Sequence, residues 1–152
     1  TGNRSPIQEP VEAKRRHSTR DIPRWAEYYG VPLRFNPNFP INTLMLMRLA
    51  HAAKRANVFA DFHRAAFSAM WEKDRDMGNP EAVAEVLAAA GLDARALLEA
   101  AQDPEIKQAL KQATDEAIEL GAFGVPTFRV GDELFFGNDR LPLVEVALTR
   151  AD

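Results

Sequence analysis

Two apolar runs, "TFRV" (127–130) and "ELFF" (133–136), stand near the end of a chain whose pattern is otherwise helical. Only Gly131-Asp132 separates them, and such a pair between strand-forming runs is a strong signal for a two-residue hairpin. A lone two-stranded hairpin is marginal in water and usually needs more sheet. The expected class is therefore α/β, with sheet partners supplied by a strand–helix–strand unit of roughly 30–40 residues. The chain opens "TGNRSPIQEP", which reads like the interior of a loop, so that unit is expected before Thr1.

The remaining pattern is helical. Ile22, Trp25 and Tyr29 recur at spacings of three and four, predicting a helix over 10–29 that stops at Gly30 ahead of Val31-Pro32. "LRF" (33–35) fits a short strand or an extended linker. "TLMLMRLAHAAKR" (43–55) is apolar around most of its circumference, which predicts burial. A further helix over 58–74 aligns Phe59, Phe62, Ala66 and Met70. Asn79-Pro80 and Asp103-Pro104 each place a capping residue before a proline at the first helical position, and Asp93 is a third cap. "LPLVEVALTR" closes the chain as a helix.

Composition narrows the function classes. At 152 residues the chain fits one domain able to bury about 70% of its unfolded surface. A net charge of −3 gives no global pull toward nucleic acid or an anionic membrane, and no apolar run approaches the roughly 20 residues needed to span a bilayer. Without cysteine the chain has no disulfide and no thiolate nucleophile of its own, which is compatible with a cytoplasmic location. His17, His51 and His63 have neither His-x-x-x-His spacing nor an acidic complement, so no metal site is expected. The "KRRHSTR" stretch, with Arg16, Arg20 and Arg24 repeating every four residues, reads as a solvated face or as a holder for a small acid. Trp71, Phe62, Phe67, Met45 and Met47 read as core, or as the lining of an aromatic pocket.

The ends of the hairpin carry the candidate site. Val125-Pro126 stands directly before the first strand, and two readings stay open. A cis bond would turn the backbone N–H and C=O of Val125 outward, ready to pair with an extended peptide-like ligand. A trans proline at the first residue of an edge strand would be purely structural. Beyond the hairpin, Gly137-Asn138-Asp139-Arg140 precedes the last helix. Asn138 or Asp139 is a natural cap. Free N–H groups there favour a ligand carboxylate, and the Asp139 carboxylate suits an ammonium. Both together would fit the α-amino-acid end of a molecule.

"ELGAFGVPTFRVGDELFFGNDRL" resembles the C-terminal half of a DsbA-like thioredoxin domain. Taken with "TGNRSP" and "RDIPRWAEYYGVPLRFNPNFPINTL", the whole chain is similar to the 2-hydroxychromene-2-carboxylate isomerases and to their relatives, the kappa-class glutathione transferases. The resemblance implies a thioredoxin-like domain interrupted by a large all-helical insertion. Residues 1–5 would link from an N-terminal thioredoxin half, with its first β-α-β unit, that lies outside this sequence; 6–119 would form the insertion and connecting helices; 120–152 would complete the thioredoxin-like domain. It implies glutathione as cofactor, with Val125 and Pro126 at its cysteinyl backbone, Asn138 and Asp139 at its γ-glutamyl end, and Asn3 and Lys14 near the thiol and the peptide or glycine carboxylate. A thiol-facing serine is expected upstream of this sequence. The implied activity interconverts 2-hydroxychromene-2-carboxylate and trans-o-hydroxybenzylidenepyruvate in naphthalene-type catabolism. The substrate is thus a small aromatic 2-oxo acid, and a homodimer is expected by analogy. The alternatives are a kappa-like glutathione transferase or peroxidase and a DsbA-like thiol-disulfide oxidoreductase.

Overall fold

A computed structural model describes residues 11–151. Seven helices, α1 (Glu12–Tyr29), α2 (Leu44–Arg55), α3 (Phe59–Trp71), α4 (Pro80–Ala89), α5 (Ala94–Ala100), α6 (Pro104–Glu119) and α7 (Leu141–Ala151), accompany two strands, β1 (Thr127–Val130) and β2 (Glu133–Phe136). The chain divides into two compact units whose boundary falls within α6, after Lys111.

In the helical unit, α1 ends where the sequence predicts, on Gly30 at φ +63°, a left-handed conformation that costs glycine little. Residues 33–35 form no strand. Asn36 Nδ2 donates instead to the carbonyls of Met70 (2.9 Å) and Arg75 (2.8 Å), tying this loop to the end of α3. Asn36 is only 4% exposed, so these bonds are what make its burial tolerable. Between Asn36 and α2 lies a cis peptide bond, Phe39-Pro40, that the sequence did not announce.

The core is built where helical periodicities converge. Leu46, Leu49, Ala52 and Ala53 of α2 pack with Phe62, Ala69 and Met70 of α3, Val83 and Leu87 of α4, Leu97 of α5 and Ile106 of α6. The expected burial of α2 holds along one face, while Leu44 and Met47 lie exposed on the other. In α3, Phe62 and Met70 of the aligned stripe are buried and Ala66 is half-buried, whereas Phe59 is exposed. Phe67, however, faces outward with its ring 4.5 Å from that of His63.

The capping predictions hold in detail. Asn79 Oδ1 accepts from the N–H groups of Glu81 (2.8 Å) and Ala82 (3.1 Å) ahead of Pro80, and Asp93 Oδ1 accepts from that of Ala96 (2.9 Å). Asp103 stands before Pro104, and Arg55 Nη1 donates to its carboxylate at 2.8 Å. That bond, aided by the N–H of Glu105, holds the Asp103 carboxyl below the usual carboxylate range.

In the second unit the hairpin has the predicted strands and turn. The strands run antiparallel with Thr127 opposite Phe136 and Val130 opposite Glu133. Helix α7 packs on β1, burying Val144 and Ala147, residues three apart on one helical face. A 3-10 turn, Asn138–Arg140, leads from the hairpin into α7. The sheet has two strands among the described residues.

Candidate ligand-binding site at the open end of the hairpin

The hairpin register brings the two candidate segments together. Beyond the Thr127–Phe136 pair, the N–H of Gly137 donates to the carbonyl of Pro126 at 3.0 Å, adding one more rung. Val125 and Asn138 therefore flank the open end of the hairpin. On the Val125 side, the Thr127 hydroxyl donates to the Gly124 carbonyl at 2.6 Å, which fixes the turn from below. The Val125-Pro126 bond is cis, so the trans alternative is set aside. Val125 is 90% exposed, and its N–H and C=O take no hydrogen-bond partner among the described residues.

On the other side, Gly137 adopts φ +109°, a conformation almost confined to glycine. A β-carbon there would stand 2.5 Å from Asp139 Oδ1, so the Asp139 carboxylate lies folded over the glycine. Its other oxygen pairs with Arg140 Nη1 at 3.1 Å. Asn138, half-buried, opens the 3-10 turn.

The remaining predicted residues lie elsewhere. Lys14 is exposed in the first turn of α1, within the helical unit. Asn3 lies outside the described residues. One contributor, Thr127, was not singled out from sequence; its hydroxyl acts only on the turn that it holds, and its signal was the Pro-Thr junction at the hairpin end. A groove of about 580 Å³ against α3 and α4, lined by residues such as Arg64, Ser68, Lys73 and Val86, contains none of the predicted site residues.

The local chemistry at the hairpin end is an extended peptide edge beside a carboxylate. It can pair with another extended backbone and accept an ammonium group.

Residues 1–149 match the DSBA-like thioredoxin domain. The chain belongs to this family. It is 33% identical over 148 residues to a 2-hydroxychromene-2-carboxylate isomerase of Sphingobium xenophagum, covering 95% of this chain and 73% of that relative. A namesake in Pseudomonas putida is 32% identical, with 98% and 72% covered. Glutathione S-transferase kappa 2 of Caenorhabditis elegans is 31% identical, with 91% and 67% covered. In three dimensions the chain matches a solved 2-hydroxychromene-2-carboxylate isomerase with a TM-score of 0.80 at 29% identity, over 97% of this chain and 71% of the other. The DSBA-like thioredoxin class expected from "FGVP" and "GNDR" is therefore the observed one. No helix among the described residues is long and apolar enough to cross a membrane.

Proposed function

We propose that the full-length protein is a glutathione-dependent isomerase that interconverts 2-hydroxychromene-2-carboxylate and trans-o-hydroxybenzylidenepyruvate. The observation that carries this reading is end-to-end likeness to isomerases of that name, at 33% identity over 95% of the chain. The hairpin end agrees with it, because an unpartnered Val125 edge and the Asp139 carboxylate suit the peptide cofactor. When bound, glutathione supplies a nucleophilic thiol able to add reversibly to a conjugated 2-oxo acid, turning a double bond into a rotatable single bond.

In this reading the chain's own residues bind and orient. The Val125 N–H and C=O hold the cysteinyl backbone beside Pro126, and Asp139, with Asn138, receives the γ-glutamyl ammonium end. From the family resemblance we assign Lys14 to the peptide or its glycine carboxylate and Asn3 to the thiol. Fixing the cofactor at both ends removes its rotational freedom before the substrate arrives, which is the main entropic contribution such a site can make. A cytoplasmic homodimer belongs to the same proposal.

The test is direct. Purified full-length protein is mixed with 2-hydroxychromene-2-carboxylate, and the absorbance of the ring-opened isomer is followed with and without glutathione. Saturable conversion that requires glutathione is expected. Absence of conversion by folded protein at saturating glutathione would contradict the proposal.

A further inference from the structure

Helix α3 gives one face to the core of its unit, through Phe62, Ala69 and Met70. Its opposite face carries aromatic rings as well. Phe59, His63 and Phe67 follow one another at a spacing of four, which sets them in a row along the helix. The His63 ring lies 5.7 Å from that of Phe59 and 4.5 Å from that of Phe67, so the three form one continuous surface. All three are exposed, Phe67 by 56%, and none of them serves the core. Beside the row runs a groove of about 540 Å³, where the small residues Ala60 and Ser68 leave room on either side of Arg64.

The charges that flank the row differ in sign at its two ends. Lys54 Nζ stands over the Phe59 ring, 5.2 Å from its centroid, and Glu72 lines the groove beyond Phe67. Neither takes part in an ion pair among the described residues. Lys54 and Glu72 stand equally far from His63 along the chain, and so do Phe59 and Phe67. The face therefore reads cation, ring, ring, ring, anion, with His63 at its centre. A two-fold axis at His63 maps that face onto its own complement, which is what a contact between identical surfaces requires. Phe59 of one copy meets Phe67 of the other over the small residues, and Lys54 meets Glu72 twice. Buried aromatic rings make the centre of such contacts, and charges at the rim fix their register. Arg64 brings no unmatched charge, because it pairs with Asp61 on its own helix at 3.3 Å. An anionic lipid surface suits the face less well, since Asp61 and Glu72 border it and the net charge is −3.

We infer that this face of α3 joins two copies of the chain about a two-fold axis at His63. Every residue involved belongs to the helical unit. The inference gives the proposed homodimer an interface and does not depend on the isomerase activity.

The experiment is sedimentation equilibrium of the full-length protein over a range of concentrations, on wild type and on variants shown by circular dichroism to be folded. Wild type is expected to be a dimer whose thermal midpoint rises with protein concentration. Phe67→Glu removes a central aromatic anchor from both copies and should raise the dimer dissociation constant about a hundredfold or more. The charges at the rim give a sharper test. Lys54→Glu and Glu72→Lys each set like charges against one another at both symmetric contacts, and each should raise the dissociation constant about tenfold. The double variant Lys54→Glu/Glu72→Lys restores opposite charges across the axis and should recover the wild-type constant. A monomeric wild type, or a dimer that none of these changes weakens, overturns the inference. So does a monomeric wild type in which Phe67→Glu lowers the thermal midpoint at every concentration, because the face is then covered by the protein's own chain. A double variant weaker than either single one removes the two-fold pairing. Loss of isomerase activity in wild type would end the isomerase reading alone and leave these measurements unchanged.

Discussion

Asp139 and Gly137 show how much of the candidate site is decided by single residues. The carboxylate reaches back over Gly137 because no β-carbon occupies that space, and Arg140 holds its other oxygen. Asp139 thus faces the hairpin end with a defined orientation rather than as one of many mobile surface acids. Asp139→Asn keeps the shape and removes the charge, so glutathione KM should rise about tenfold, the scale of a lost charge-assisted hydrogen bond. Thermal stability should be nearly unchanged, because the ion pair with Arg140 is exposed and contributes little. Steady-state kinetics in glutathione checks this, and an unaltered KM would remove Asp139 from the site. "GVP" and "GNDR" could be read as turn and cap from sequence alone. That they meet across one rung could not, because the Pro126–Gly137 bond depends on the hairpin register.

Elements were legible where local chemistry decides them. Asn79-Pro80 and Asp93 start their helices as their side-chain oxygens dictate, and Gly131-Asp132 sets a hairpin whose strands begin and end where the pattern changes. Elements were less legible where tertiary contacts decide. Of the two readings of "LRF", short strand or extended linker, the structure has the linker, and Asn36 beside it bonds to the carbonyls of Met70 in α3 and of Arg75 beyond it. In α2 an apolar pattern around most of the circumference predicts burial without saying which face, and the face that meets α3 and α5 is buried while Leu44 and Met47 stay outside. The caps provide the cleanest energetic test at this scale. Asn79→Ala removes both hydrogen bonds at the start of α4 and should cost about 1 kcal/mol of stability. Chemical denaturation would show it as a lower midpoint at unchanged slope, and a midpoint equal to wild type would mean that water replaces the cap without loss.

At the scale of the whole chain, periodicity counts helices without saying how they are used. The helical unit fills its core largely with alanine, leucine and methionine, residues that many helical arrangements would bury equally well. Family membership was legible from the order of "TGN", "FGVP" and "GNDR" with a long helical segment between, and the likeness to isomerases and kappa transferases runs through nearly all of it. What separates those two activities is the fate of the glutathione thiol, which is regenerated in an isomerisation and consumed in a conjugation. The most direct measurement is therefore a thiol balance. Full-length protein is allowed many turnovers of 2-hydroxychromene-2-carboxylate, and free glutathione is titrated before and after. An isomerase leaves the thiol count unchanged while the isomer accumulates to equilibrium; loss of one thiol per substrate converted, or accumulation of a glutathione conjugate, would contradict the assignment.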